Sequence, residues 1–266
     1  MGPLEFSQGA AVGKKQLLID VFNGLPFVDD NCEWTKILTA VACIRRHLDD
    51  RVNALALKEY LDPLEAYRIA RSSYERHVPV HHRSLSYERS RSIEQALGQI
   101  IESIPNWKPL LSIPLIFREL RDEGIMSMTN PVIPQHIFLG DEAFDTDQDL
   151  RETLIHEVSH VWLAMIAEVS RLHKPDDAGC LTLPSGTGGK TGTGVLLACH
   201  FAAAVIKYYK TLDESFGPRI EFLSDYLGDS LKIFDVYTGL TSEGRAVQAR
   251  LESFAKSCSS VQKVSS

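Results

Sequence analysis

"LIHEVSHVWL", Leu154–Leu163, places two histidines four residues apart with a glutamate beside the first. On a helix, positions i and i+4 lie on one face about one turn apart, so His156 and His160 can reach a single ion. Metal–nitrogen bonds of about 2.0–2.1 Å then suffice. Glu157, next to the first histidine, is placed to work on a water at that ion. Leu154, Ile155, Val158, Val161 and Trp162 surround the pair with uncharged side chains, so the helix is expected to be buried and its histidines to need partners. The motif points firmly to a metal and only loosely to a reaction.

Working outward, Thr146 reads as the N-cap of this helix, with Asp147 and Asp149 in its first turn and an end near Leu172. Before it, "LLSIPLIF" and "VIPQHIFLG" are short, β-branched and proline-punctuated, which predicts two strands. Pro114 and Pro134 push them toward sheet edges or bulges. Glu33 to about Glu75 and "SIEQALGQIIESI" carry helical periods, with Pro63 opening a new helix. After the motif come a Gly/Ser/Thr-rich loop from Lys174 to Gly194, the apolar helix "VLLACHFAAAVIKYY" and two amphipathic helices. The expected fold is α+β and mostly α-helical, a small sheet preceding the motif helix in the order of zincin-like enzymes. Residues 1–104 form a helical N-terminal region and 105–266 the metal-binding region, packed as one compact unit.

A chain of 266 residues with 44% apolar and 24% charged residues has the composition of an ordinary globular protein. Its net charge of −7 argues against general nucleic-acid binding. Five scattered cysteines without a C-x-x-C pair suggest free thiols in a reducing compartment. "QLLIDVFNGLPFV" carries Asp20 and Asn23 and makes a poor signal segment, and no apolar run reaches the 18 or so residues of a membrane span. The expected location is the cytoplasm.

A third metal ligand must come from outside the motif. Leu163 and Ile166 stand where a longer H-E-x-x-H-x-x-G-x-x-H signature has its glycine and third histidine. Glu168 lies about 12 Å along the helix from His160 and reads as a solvated or structural acid. His200, in a helix apolar nearly all round, is the preferred candidate, with Glu214 and Glu221 as carboxylate alternatives. "PSGTGGKTGTG" contains a GKT, but Pro184 stands where a phosphate loop needs glycine, so a flexible loop over the site is expected instead. "HVPVHH" (His77, His81, His82) with Arg71, Arg76, Arg83, Arg89 and Arg91 makes a basic patch, read as a solvated surface or a docking patch for an acidic peptide.

Zinc is the first choice on chemistry alone: three ligands leave a position for water, and Glu157 is its base. The order of "TLIHEVSHVWLAMIAEVSRLHKPD", "GVLLACHFAAAVIKYYKTL" and "GLTSEGRAVQARLESF" adds a second possibility. It resembles the H-E-x-x-H-type peptide β-hydroxylases, iron- and 2-oxoglutarate-dependent enzymes that modify ribosomally made peptides in natural-product biosynthesis. The matching positions are Pro175 and Asp176, Gly194 through Tyr208, and Leu240, Thr241, Gly244 and Arg245, over about 137–254. His173-Lys174 replaces the expected Trp-Arg pair.

The resemblance implies Fe(II) held by His156, His160 and His200, with 2-oxoglutarate as cosubstrate and hydroxylation of an sp3 carbon (the β-carbon) of a peptide or amino acid. Glu157 would then orient a ligand or the substrate. The far carboxylate of 2-oxoglutarate wants a cation, for which Arg245 is the first choice, with Lys190 and Arg171 behind it. The reading preferred from sequence is the iron oxygenase, with a zinc metallopeptidase using Glu157 as general base as the alternative and a catalytically silent peptide-recognising domain third.

Overall fold

The computed structural model describes residues 16–51, 55–73, 80–122, 124–177, 179–212 and 216–262. Nine α-helices lie among them: α1 (Leu18–Val21), α2 (Trp34–Leu48), α3 (Pro63–Ser73), α4 (Tyr87–Ser103), α5 (Lys108–Leu111), α6 (Asp147–Val169), α7 (Gly192–Tyr209), α8 (Gly217–Lys232) and α9 (Ser242–Gln262). The mostly helical α+β class is as the sequence suggests. Four short strands, β1 (His82–Arg83), β2 (Ile116–Leu120), β3 (Ser127–Asn130) and β4 (Ile133–Leu139), form one mixed sheet in the order β1-β2-β4-β3.

β2 and β4 are the two strands expected from sequence, and they pair in parallel. Pro134 does not drive β4 to an edge: β4 lies inside the sheet, flanked by β2 and β3. The proline is accommodated beside an irregularity in the β3–β4 register, between Thr129 and Asn130, and Gln135 follows it at φ 59°. "LLSIP" is not strand; Leu110 and Leu111 close α5 instead.

α6 starts where its cap predicts, with Thr146 Oγ1 accepting from the Asp149 N–H at 3.0 Å, and ends three residues before Leu172. It is buried on most sides, by Leu154, Ile155, Val158, Trp162 and Ile166 among others. Trp162 donates its indole N–H to the Leu110 carbonyl at 2.9 Å, anchoring α6 on α5. α7 packs along α6 and α8. α7 is long and apolar enough to span a bilayer, contrary to the sequence expectation that no segment qualifies, but 72% of it is buried inside the protein. One continuous apolar core runs from Ile19 to Cys258, through both sequence-defined regions.

Two stretches noted for their motifs turn out to hold this core together. In "LTSEGR", Thr241 caps α9: its Oγ1 accepts from the Gly244 N–H at 3.1 Å and donates to the Arg171 carbonyl at 2.7 Å. A Cβ on Gly244 would stand 1.9 Å from the Leu172 carbonyl oxygen, so only glycine allows α9 to close on the end of α6. In "HKPDD", Asp177 does the work. Its carboxylate accepts from the Gly192 N–H at 2.6 Å, the Gly179 N–H at 3.2 Å and the Tyr237 hydroxyl. Burial acts against the charge, yet these three donors hold the Asp177 carboxyl below its usual range.

Candidate metal centre

The stripe 156, 160, 164 and 168 of α6, with 157, 161 and 165, forms the floor of a groove of about 2160 Å³. Its walls come from β3, the first turns of α7, α8 and the hairpin 181–190. Near its far end lie Arg45, Leu48, Ile69 and His136. The hairpin is the glycine-rich loop: Leu181 and Lys190 pair backbone to backbone, and Gly186 turns at φ 84°. It forms a wall of the groove and does not follow a strand, so it lacks the setting of a phosphate loop.

His156 and His160 converge as their spacing predicts, with Nε2 atoms 2.9 Å apart. One ion can touch both nitrogens across that gap. Burial pushes both imidazoles below the ordinary histidine pKa. For His160 the charge of Lys190, and those of His156 and His200 whenever they are protonated, push further in the same direction. Both are therefore neutral at pH 7, the form that binds metals. The His156 ring stacks on Phe201, centroids 3.9 Å apart at 6°, which fixes its orientation.

Glu157 is 2% exposed. Ser127 Oγ, on β3, donates to its Oε1 at 2.6 Å, while Oε2 is buried with no hydrogen-bond partner among the described residues. Oε1 lies 4.0 Å from His156 Nε2. A buried carboxylate oxygen left without a hydrogen-bond donor is costly unless something else satisfies it. His160 Nδ1 is the other buried, unpartnered atom here. The donor set fits a metal ion in these respects, although no group of three or more His, Cys, Asp or Glu side chains gathers among the described residues.

Of the remaining sequence candidates among the described residues, only Glu168, Arg171 and Lys190 line the groove. His200 follows the groove-facing residues of α7 out of phase: it precedes Phe201 by one residue, about 100° around the helix. Its Nε2 faces the Pro26 carbonyl at 2.7 Å and its Nδ1 the Ser159 carbonyl at 3.2 Å. Both ring nitrogens are thus turned to backbone oxygens and neither faces the groove. Glu221 is exposed and off the groove, and Glu214 lies outside the described residues. Glu168 is a structural acid, joined by two bonds to buried Arg45. Arg245 is exposed, outside the groove, and its Nη2 reaches the Tyr237 carbonyl at 3.4 Å.

His77 and Arg76 also lie outside the described residues. The rest of that patch is partly neutralised, Arg83 on Glu119 and Arg89 on Asp141. Ser127, Phe201 and Tyr226, which sits 5.8 Å from Phe201, are groove residues that no motif announced.

His200 gives a direct test of this placement. Burial, outweighing the two carbonyl contacts, lowers its pKa below 6.5. The unfolded chain takes up the proton near pH 6.5 while the fold resists it. The stability His200 contributes is therefore complete above about pH 6.5 and lost as the pH falls below it, by up to about 1.4 kcal/mol per pH unit. Urea unfolding of His200→Gln should show a shallower loss of stability between pH 6.5 and 5 than the parent. Equal slopes would mean that His200 is not held neutral.

No protein-family model matches the sequence, and no curated protein matches it significantly.

Proposed function

We propose that the protein is a zincin-like, metal-dependent hydrolase that cleaves peptide bonds in an extended substrate. The observation that carries this reading is the buried Glu157 carboxylate, with Oε1 held by Ser127 at 4.0 Å from His156 Nε2 and Oε2 without a hydrogen-bond partner among the described residues. His156 and His160 would hold the ion. A zinc ion there supplies acidified water and a polarised carbonyl. Glu157 accepts the proton from the attacking water and can return it to the leaving amine. The Ser127 hydroxyl keeps that carboxylate in one rotamer and satisfies the oxygen not used. β3, at the edge of the sheet and in the groove wall, offers unpaired backbone groups to a substrate chain lying extended beside it. Ile125 and Met126, both exposed at the groove, favour apolar side chains there.

The iron- and 2-oxoglutarate-dependent hydroxylase is the second reading. It shares the two histidines and a peptide substrate, and Lys190 favours it by offering the cosubstrate an ammonium group inside the groove. Its other two supports are weaker, since His200 and Arg245 face away from the histidine pair. The deciding experiment incubates metal-free protein with unstructured peptides and either Zn(II) or Fe(II), 2-oxoglutarate and oxygen, followed by mass spectrometry. Fragments that sum to the peptide plus one water with zinc would support hydrolysis. Intact peptide heavier by one oxygen atom, formed only with iron and 2-oxoglutarate, would replace the hydrolase with the oxygenase.

A further inference from the structure

We propose that Lys190 forms a carboxylate-binding subsite beside the histidine pair. It would receive either the free C-terminal carboxylate of a peptide or that of a small oxo-acid. Lys190 is half-buried in the groove lining shared by His156 and His160. Its backbone is pinned in both directions to Leu181, N–H to carbonyl at 2.9 Å and carbonyl from N–H at 3.0 Å. Its stem lies along the first turn of α7: a Cβ on Gly194 would meet Lys190 Cβ and Cδ at 3.4 Å. The cation is thus held by its base and its stem, and its charge reaches His160.

No carboxylate neutralises it among the described residues. Glu168 is taken by Arg45, Asp229 by Lys232 and Glu157 by Ser127, and Asp225 does not come within ion-pair distance of it. In a chain of net charge −7, a half-buried lysine on this groove with its stem packed and no carboxylate partner among the described residues is an unmet demand for an anion. Arg171, a second cation with no ion pair among the described residues, stands exposed on the same groove and extends the positive field.

Of anions, a carboxylate is the group that both candidate chemistries would bring to this position. The subsite rests on the groove being the active site, as proposed above, and not on which reaction takes place there. If the carboxylate belongs to the peptide itself, cleavage occurs near a chain end.

Isothermal titration tests this without turnover. The probes are an N-acetylated dipeptide with a free C-terminus, the same dipeptide as its amide, and 2-oxoglutarate. Each is titrated into metal-free and metal-loaded protein and into Lys190→Met, whose unbranched stem still packs on Gly194. At least one carboxylate should bind, the amide should bind more weakly, and Lys190→Met should weaken the carboxylate by about tenfold or more. Lys190→Arg should retain most of the affinity.

Preference for the peptide acid would identify a chain-end substrate. Preference for 2-oxoglutarate, strengthened by Fe(II), would identify an oxo-acid. No binding of either carboxylate, or an unchanged affinity of the bound carboxylate in Lys190→Met, would overturn the subsite. A zinc-loaded protein that cleaves no peptide would remove the hydrolase reading and leave these binding results standing.

Discussion

Exchanging Glu157 for glutamine should slow peptide cleavage by about a thousandfold while leaving metal content and stability near those of the parent. The substitution is close to isosteric, and its carbonyl oxygen can still accept the Ser127 hydroxyl that now bonds Oε1 at 2.6 Å. What it removes is the buried, unpaired Oε2 and its ability to take a proton. Removing a buried charge also removes its desolvation cost, so the fold has no reason to weaken. Cleavage rate, bound metal by elemental analysis and urea midpoint should be measured on one preparation. A tenfold effect or less would show that Glu157 is not the base. If the protein instead hydroxylates peptides, Glu157→Gln should keep measurable activity, because there the carboxylate only orients other groups. Loss of metal together with activity would place Glu157 in support of the histidines.

The half of this site that lies on α6 could be read from sequence because its determinants are local. Thr146 and Asp149 cap the helix from within four residues, and the i, i+4 spacing alone aims His156 and His160 at one point. The other half depends on contacts far apart in the chain. Ser127 sits on a four-residue strand, "SMTN", with no alternation to mark it, and meets Glu157 thirty residues later. α7 is apolar on nearly every side, so nothing in its sequence sets its rotation. That is why His200 could be taken for a ligand, when the groove-facing residue is Phe201. Arg245 stands in "LTSEGR", a segment shaped by the Thr241 cap and the tight approach of Gly244 to Leu172. Packing, not ligand chemistry, accounts for the residues of that segment.

Arg45→Ala should be the most damaging change outside the histidine motif, costing about 3 kcal/mol or more. Arg45 is 2% exposed. Its Nε and Nη2 bond the Glu168 carboxylate at 2.8 and 2.9 Å, while Nη1 bonds the Tyr60 carbonyl at 3.0 Å and Gln135 Oε1 at 2.5 Å. Gln135 in turn donates to the Leu61 and Pro114 carbonyls at 2.8 and 2.7 Å. One guanidinium thus ties α2 to the end of α6, the start of β4 and the turn before α3. Alanine would leave a carboxylate, a carbonyl and an amide oxygen without their donor, and the loss exceeds what the pair itself contributes. Glu168 keeps 27% exposure of its side chain, so water can partly replace the lost donor, which places the cost at the lower end for a buried pair. Lysine should rescue little, since one ammonium cannot span the planar fork that reaches Glu168 and Gln135 together. The double variant Arg45→Ala/Glu168→Leu should recover part of the loss, because no carboxylate is then left unpaired. Urea unfolding of the four proteins decides it. A loss below about 1 kcal/mol in Arg45→Ala, or no recovery in the double variant, would show that the network is not what holds the far end of the groove.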